Sequence, residues 1–309
     1  MKIGLWSDNH NFPSLPLMKI SAYHKQLGDD VEMLNYLKHY DKVDCSKVFS
    51  YTPDVDEMCV VNADEIQRGG TGYCISLQNG KEVFDKNKNN QFPKEIENIC
   101  PDYSLYPQYD FAYGFLTRGC PRGCGFCVVG KKEGLRSHQV AELNDFIAGR
   151  HNVKLMDANL LACADHERIL QQMIASKAAF DINQGFDARL LTVDNIALIN
   201  QLKIRMIHFA WDNPRIDLTD RLLFYNDHGV IKDRRRKTVY ILANYDSSEE
   251  EDLYRLSTVA RIGYSPYLMV YDKAHAPRSA KMMQRYVNNK IIFNSCTWDQ
   301  YKNNIGKDE

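Results

Sequence analysis

The first hundred residues combine short apolar runs with one stretch of helical spacing. Lys2–Asp8 reads as a buried strand, and Val31–Leu34 and Asp41–Phe49 are the next strand candidates. Leu15–His24 places apolar residues at the spacing of a helix, which Gly28 ends. The pattern therefore predicts a small α/β unit at the start of the chain.

This pattern breaks down before residue 100. Gly69–Gly72 predicts a glycine-rich turn, and the chain from Ser76 to Pro101 is polar and loop-like. Within it, Lys81–Pro93 has no apolar period. We place the domain boundary here, with one domain over residues 1–100 and a second over residues 101–309.

A regular alternation of strand-like and helical patterns follows the boundary. One helical pattern lies behind Asp165 as N-cap, and another begins with the acidic run Glu249–Glu251, which suits the helix dipole. Short apolar strands alternating with helices predict a parallel sheet, either curled into a partial barrel or open and doubly wound. The strand-like runs are Phe111–Thr117, Val153–Asp157, Phe180–Gly185, Met206–Trp211, Thr238–Ala243 and Tyr267–Tyr271.

Composition narrows the class of protein. The 309 residues carry 39 Lys+Arg against 40 Asp+Glu, so no overall field attracts a polyanion. No apolar run exceeds about five residues, against the ~18 that a membrane-spanning helix needs. Met1–Trp6 leads straight into strand-like sequence rather than into the apolar core of a signal peptide. We therefore expect a cytoplasmic protein without a membrane partner, whose nine cysteines are metal ligands or buried thiols rather than disulfides.

Three of those cysteines form the most specific motif of the chain. Cys120, Cys124 and Cys127 have the spacing C-x3-C-x2-C, directly after the first strand of the alternating region. A structural zinc site needs four ligands, usually in two pairs, and no second C-x2-C exists. Three thiolates on one glycine-rich loop suit a 4Fe-4S cluster that leaves one iron without a protein ligand. That open iron can bind a substrate or cofactor.

The motif resembles the radical S-adenosylmethionine (SAM) superfamily, whose cluster motif is C-x3-C-x-aromatic-C. Phe126 fills the aromatic position, and the resemblance covers roughly residues 111–272. It implies an α/β fold, a partial (βα)6 barrel preceded by a small Rossmann-like α/β domain. It also implies two cofactors, a 4Fe-4S cluster on the catalytic Cys120, Cys124 and Cys127, and SAM with its adenine near the backbone of Phe126. In this family one electron, from a reductant such as flavodoxin or ferredoxin, cleaves SAM to a 5′-deoxyadenosyl radical.

Polar residues at strand ends are the candidates for binding SAM, because ligands of β/α folds collect at the carboxyl ends of the strands. Their amide, carboxylate and guanidinium groups suit the ribose hydroxyls and the carboxylate of SAM. Helix caps and rim hydrogen bonds are the alternative use of such residues. The Gly-Gly-Glu stretch that many members carry after the second strand is replaced here by Leu155–Asn159, which puts the contact to the SAM amino group in doubt. The candidates are Asp157, Asn159, Gln184, Arg189 and His208.

The N-terminal domain resembles the cobalamin-binding-like domain of many superfamily members. Cobalamin binders of that fold use Asp-x-His-x-x-Gly, whereas this chain has Asp8-Asn9-His10 followed by Pro13 where the glycine is required. We therefore expect a degenerate relative without cobalamin. Asn9–Ser14 is then a lid or substrate wall, or an ordinary strand–helix connection.

A small-molecule substrate suits this chain better than a nucleic acid. No basic RNA-binding domain follows Asp272, and Lys232–Lys237 is most simply a solvated loop. Ser7–Pro13 and Thr117–Cys120 look like the group of the superfamily that includes queuine lyase, which cleaves queuine to 7-aminomethyl-7-deazaguanine in queuosine precursor salvage. A deazaguanine base needs a carboxylate for its N–H edge and an aromatic ring for stacking. The substrate candidates are Asp8, His10, Phe12, Trp211, Asp212 and Asp272, with Trp6 and Asp54 as further possibilities.

Two other classes of function stay open at this point. One is radical SAM modification or methylation of another small molecule, a nucleotide or a peptide. The other is a non-enzymatic iron–sulfur or zinc protein that senses redox state or binds a partner. The six cysteines outside the motif are expected to be mostly buried small hydrophobic residues. They are Cys45, Cys59, Cys74, Cys100, Cys163 and Cys296.

Overall fold

The computed structural model describes residues 1–8, 11–55, 62–78 and 81–305. The chain forms two compact units, Met1–Lys154 and Leu155–Glu309. Both are mixed α/β structures with parallel strands. The domain boundary that the sequence predicts near residue 100 stays a prediction.

The first unit opens with a parallel sheet in the order β2-β1-β3-β4. Its strands are β1 (Lys2–Ser7), β2 (Asp30–Met33), β3 (Tyr40–Ser46) and β4 (Ala63–Gly69), and helix α1 spans Leu15–Gln26. The prediction of β1, α1, β2 and β3 is confirmed. β4 was not predicted, because its sequence is mostly polar and exposed and has no apolar alternation.

Apolar side chains pack on both faces of β1, the second strand of this sheet. Ile3 and Leu5 of β1 pack against Leu17 and Ile20 of α1. A second cluster is formed by Trp6, Tyr40, Val43, Cys45 and Val55. The sequence of β1 is therefore almost continuously apolar, as is typical of parallel strands that are buried on both faces.

The prediction of a loop-like stretch from Ser76 to Pro101 is wrong where strands and short helices form. β5 (Ile75–Gln78) and β6 (Lys81–Phe84) form an antiparallel hairpin. The sequence has Asn79-Gly80 at this point, a pair typical of two-residue hairpin turns. The nearby helices are α2 (Thr71–Cys74), α3 (Lys94–Glu97) and the 3-10 helices Lys86–Lys88 and Tyr103–Leu105.

The rest of the first unit carries the cysteine motif. The predicted strand Phe111–Thr117 is split into β7 (Phe111–Gly114) and β8 (Thr117–Arg118). β8 pairs antiparallel with β9, which places Thr117 opposite Gln139. The remaining elements are α4 (Val129–Lys132), β9 (His138–Gln139), α5 (Asn144–Ile147) and β10 (Asn152–Leu155), whose last residue begins the second unit.

The second unit contains the parallel strands that the sequence predicts. β14 (Lys237–Ala243) lies between β13 (Ile207–Ala210) and β15 (Ser265–Val270), and both pairings are parallel. β11 (Ala179–Ile182) pairs with β12 (Lys203–Ile204), also in parallel. Among the described strands of each unit, no sheet closes into a barrel.

Helices follow these strands along the chain. α9 begins with a full capping box, in which Ser248 and Glu251 bond each other's backbone amides. Asp165 occupies the N-cap position of α6 as predicted, although its side chain makes no capping hydrogen bond. The helices are α6 (His166–Ser176), α7 (Val193–Ile199), α8 (Thr219–His228), α9 (Glu249–Arg261), α10 (Arg278–Asn288), α11 (Lys290–Ser295) and α12 (Trp298–Ile305), with 3-10 helices at Leu160–Ala162, Ala188–Leu190 and Arg234–Arg236. Within the described part of the chain, none of these or the preceding helices is long and apolar enough to cross a bilayer.

Candidate functional site

The cysteine loop begins at a glycine that no other residue can replace without strain. Gly119 has φ +85°, and a Cβ built on it would lie 2.2 Å from the carbonyl oxygen of Arg136. The next residue is held as well, because the amide of Cys120 donates to the carbonyl of Gly134 at 3.1 Å. The first cysteine of the motif therefore leaves β8 in a fixed direction.

Glu133 ties the two ends of the loop together. One of its carboxylate oxygens accepts a hydrogen bond from the Arg118 guanidinium at 2.9 Å, and the other accepts one from the Gly119 amide at 3.1 Å. Arg118 also stacks on the ring of Phe115, with its guanidinium carbon 4.1 Å from the ring centroid. A charge-assisted clamp of this kind fixes the loop base more strongly than neutral hydrogen bonds would.

The last two cysteines lie on one tight turn. The amide of Cys127 donates to the carbonyl of Cys124 at 3.0 Å, and Gly123 before them has φ +55°. The three motif cysteines and Phe126 are all half-buried. Helix α4 begins two residues after Cys127.

The donor set of this loop fits an iron–sulfur cluster. Three thiols come from one short glycine-rich segment, and none of the eight described cysteines forms a disulfide. Over the described residues, no group of three or more His, Cys, Asp or Glu side chains is arranged as the ligands of a bound metal ion would be. The fit rests on the chemistry of the donors and on the anchored backbone.

The other described cysteines lie outside the motif in varied surroundings. Cys45, Cys74 and Cys163 are buried, as expected of small hydrophobic residues. Burial raises the pKa of the Cys45 thiol to about 12, which makes this thiol unreactive. Cys100 is exposed, and Cys296 is half-buried with its thiol near the carbonyl of Ile292. Cys59 lies outside the described residues.

Asp187 connects two of the predicted polar residues, Arg189 after β11 and Asn159 after β10. Its carboxylate accepts hydrogen bonds from Arg189, at 2.6 Å from Nε and 3.1 Å from Nη2. It also accepts one from the amide of Asn159 at 3.1 Å. The Arg189 guanidinium, a candidate for binding the SAM carboxylate, is therefore already paired with the carboxylate of Asp187. Gln184 is exposed at the turn before Asp187, and Asp157 is fully buried.

His208 lies on β13 with its ring stacked on Tyr240. The ring centroids are 5.2 Å apart and the planes differ by 7°. Burial lowers the pKa of His208, while the negative charge of Asp181 opposes this shift. Its Nδ1 is buried and has no hydrogen-bond partner among the described residues. A buried ring nitrogen in this state can accept or donate a hydrogen bond to a ligand.

Asp212 follows β13 and has a perturbed carboxyl group. Burial raises its pKa to about 6, against the opposing effects of the Arg255 charge and a hydrogen bond from the Leu242 amide. Its Oδ1 is buried and has no hydrogen-bond partner within the described structure. A buried acceptor of this kind is rare in folded proteins and is a common feature of ligand sites.

No protein-family model matches this chain, and a search of the curated proteins finds no significant match.

Arg255 is a residue of this region that the sequence analysis missed. Its side chain is fully buried and donates to the backbone carbonyls of Trp211, Asp212 and Leu242 at 2.8 to 3.0 Å. It also pairs with Asp252 one helical turn earlier. Only that i,i+3 spacing of opposite charges on α9 could have drawn attention to it in the sequence. Arg255 thus positions the backbone that carries Asp212.

The predicted substrate residues of the first unit are engaged within it or exposed. Asp8 accepts hydrogen bonds from the amides of Val48 and Phe49 and from the hydroxyl of Thr52, which fixes the segment after β3. Phe12 is 54% exposed. His10 lies outside the described residues.

The remaining predicted substrate residues are packed in the interior or paired with other side chains. Trp211 is 1% exposed, and its indole donates to the carbonyl of Ile216, so its ring belongs to the packed interior. Trp6 is likewise part of the apolar core. Asp272 is partly exposed and pairs with His275 at 2.9 Å. Asp54 pairs with Arg68 and accepts a hydrogen bond from Tyr73.

Proposed function

We propose that this protein is a radical SAM enzyme. The observation that carries the proposal is the loop with Cys120, Cys124 and Cys127, which is anchored at its base by the Arg118–Glu133 clamp. Three thiols suit a cluster with an open iron, and Phe126 occupies the aromatic position of the superfamily motif.

In this proposal the three cysteines hold a 4Fe-4S cluster. When bound, the cluster supplies one electron, taken from a flavodoxin or ferredoxin, for the reductive cleavage of SAM. The chain itself fixes the direction of the cysteines through Gly119 and Glu133. The parallel strands of the second unit would belong to a partial (βα)6 barrel, and Asp157, Asn159, Gln184, Arg189 and His208 remain the candidates for orienting SAM at strand ends.

The specific reaction that we propose is the cleavage of queuine to 7-aminomethyl-7-deazaguanine. Hydrogen abstraction from the cyclopentenediol ring would weaken its bond to the amine nitrogen. The 7-deazaguanine base presents adjacent N–H donors, which a carboxylate recognises. Asp212 supports this substrate class, because one of its oxygens is buried without a hydrogen-bond partner within the described structure.

The cluster is tested by electron paramagnetic resonance on the anaerobically reconstituted, reduced protein. We expect a 4Fe-4S signal that changes when SAM is added, because SAM binds the open iron. A cluster signal that SAM leaves unchanged would favour the redox-sensor alternative. Absence of iron after reconstitution would contradict the proposal altogether.

The substrate is tested separately by mass spectrometry with queuine. We expect queuine to increase SAM turnover and to yield 7-aminomethyl-7-deazaguanine. Asp212→Asn should lower this yield, whereas Asp299→Asn, at an exposed position of α12, should not. An active cluster with no response to queuine would leave the radical SAM proposal intact and reject the lyase.

A further inference from the structure

A cavity of about 500 Å³ lies within the first unit, apart from the residues proposed above for the substrate. Its floor is the face of β3 and β4 that carries Lys42, Asp44, Ser46 and Gln67. These residues share a face because side chains two positions apart point to the same side of a strand. The volume is in the range of sites that bind small organic molecules.

Asp44 is the least expected residue in this cavity. It is 2% exposed, and its Oδ2 has no hydrogen-bond partner among the described residues. Its Oδ1 pairs with the ammonium of Lys42 at 3.1 Å. An unsatisfied buried carboxylate oxygen is costly, and the cost is relieved when a ligand donates a hydrogen bond.

Part of the cavity lining is apolar. Ile20 of α1 contributes to it together with Phe92 and Ile96, both of which pack partly buried against the core cluster around Ile3 and Leu5. The cavity therefore offers apolar contacts as well as the polar groups of the strand face. Aromatic and aliphatic contacts of this kind suit the faces of a heterocycle.

The chemistry of the floor separates the possible ligands. Arg68, Arg118 and Lys132 also line the cavity, but the Asp44 oxygen without a partner needs a hydrogen-bond donor, which phosphate and other anions do not supply. The Lys42 ammonium beside it disfavours an organic cation. A neutral ligand that has both N–H donors and a carbonyl acceptor satisfies both groups. The guanine edge has two adjacent N–H donors and then a carbonyl acceptor, which matches Asp44 followed by Lys42. The adenine edge offers one donor and one acceptor and matches less well.

We propose that this cavity binds a guanine-type base, with Asp44 accepting its N–H edge and Lys42 donating to its carbonyl oxygen. The site uses residues of the first unit alone, and binding requires neither SAM nor a reductant. Binding of the base can therefore be measured even if the protein does not cleave SAM, and the two proposals can fail independently.

Isothermal titration of the purified full-length protein with 9-ethylguanine tests the site. We expect saturable binding at one site, and Asp44→Asn should weaken it roughly 10- to 100-fold, as loss of hydrogen bonds to a charged group does. Asp64→Asn is the matched control, because Asp64 is exposed on the neighbouring strand β4 and lies outside the cavity. It should leave the affinity unchanged.

Ligand analogues repeat the test on the unchanged protein. The N1-methyl form of 9-ethylguanine lacks one N–H donor and should bind at least tenfold more weakly than 9-ethylguanine. The affinity for 9-ethyladenine should be no higher than that for the N1-methyl form. If Asp44→Asn loses its native circular dichroism, Phe92→Ala replaces it, and removal of that ring should also weaken binding. No binding of 9-ethylguanine, or equal affinity for the guanine and its N1-methyl form, would overturn the proposal.

Discussion

Gly119 and Gly134 flank the cysteine loop, and both have positive φ, +85° and +96°. A Cβ on Gly119 would lie 2.2 Å from the Arg136 carbonyl oxygen, whereas one on Gly134 would meet no atom within 4 Å. Gly134→Ala should therefore cost only the backbone strain, about 1–2 kcal/mol of unfolding free energy. Gly119→Ala should cost more and should also displace Cys120.

Iron content after anaerobic reconstitution distinguishes these two variants. We expect Gly134→Ala to retain most of its iron and Gly119→Ala to lose most of it. Equal iron loading of the two variants would show that the contact with Arg136 does not determine the direction of Cys120.

Asp212 makes the stability of the protein depend on pH. Its pKa rises from 3.8 in the unfolded chain to about 6 in the fold, because burial disfavours the charged form. The folded state therefore binds more protons between these values, so this contribution is full below pH 4 and is lost as the pH rises through 6. The loss is on the order of 3 kcal/mol.

Urea unfolding at pH 4 and at pH 7 measures this effect. Asp212→Asn should gain stability relative to the wild type as the pH rises, because asparagine does not ionise. Asp299→Asn should show no such change with pH. A constant difference between Asp212→Asn and the wild type would contradict the raised pKa.

The sequence was informative about some site residues and silent about others. The spacing of Cys120, Cys124 and Cys127 is local, so a single segment is enough to identify them. Glu133 and Arg255 act through contacts with residues 14 and 44 positions away, which no local pattern encodes. The open oxygen of Asp44 is visible only once β3 and the cavity have been built.

At the level of elements, α9 is joined to the carboxyl ends of β13 and β14 by one buried side chain. Arg255→Leu would remove the donors to three backbone carbonyls and leave Asp252 buried without its cation. We expect a loss of about 3–5 kcal/mol in unfolding free energy, measured by urea denaturation. Arg261→Leu, at an exposed position of the same helix, should change stability much less.

A double variant separates the charge from the hydrogen bonds. Replacing Asp252 by leucine together with Arg255 removes the uncompensated carboxylate, so it should recover part of the stability that Arg255→Leu loses. A double variant less stable than Arg255→Leu would contradict the claim that the unpaired, buried Asp252 carboxylate destabilises the single variant.

Strands were easier to predict than the segments that join them. Continuous apolar runs identified β10, β11, β13, β14 and β15 to within a few residues, because parallel strands are buried on both faces. β4 and the β5–β6 hairpin are polar, and their formation depends on pairing with neighbours rather than on their own apolar pattern. Whether the parallel strands curl into a barrel depends on tertiary packing, which periodicity does not describe.

At the level of the whole molecule, the charge balance argues against a nucleic-acid substrate. The 39 basic and 40 acidic residues nearly cancel. In the one strongly basic segment, Arg234 and Arg236 donate to backbone carbonyls and Arg235 pairs with Asp233. We expect no saturable binding of tRNA in a filter assay at physiological salt. Binding tighter than about 1 μM, beyond the usual non-specific range, would contradict a small-molecule substrate.

Reductive cleavage of SAM tests the central claim most directly. The reconstituted protein is incubated anaerobically with SAM and dithionite, and 5′-deoxyadenosine is measured by mass spectrometry. The wild type and Cys100→Ala, which removes an exposed thiol outside the motif, should form it equally, while Cys124→Ala should form only background. If the wild type forms no more 5′-deoxyadenosine than Cys124→Ala, the protein is not a radical SAM enzyme.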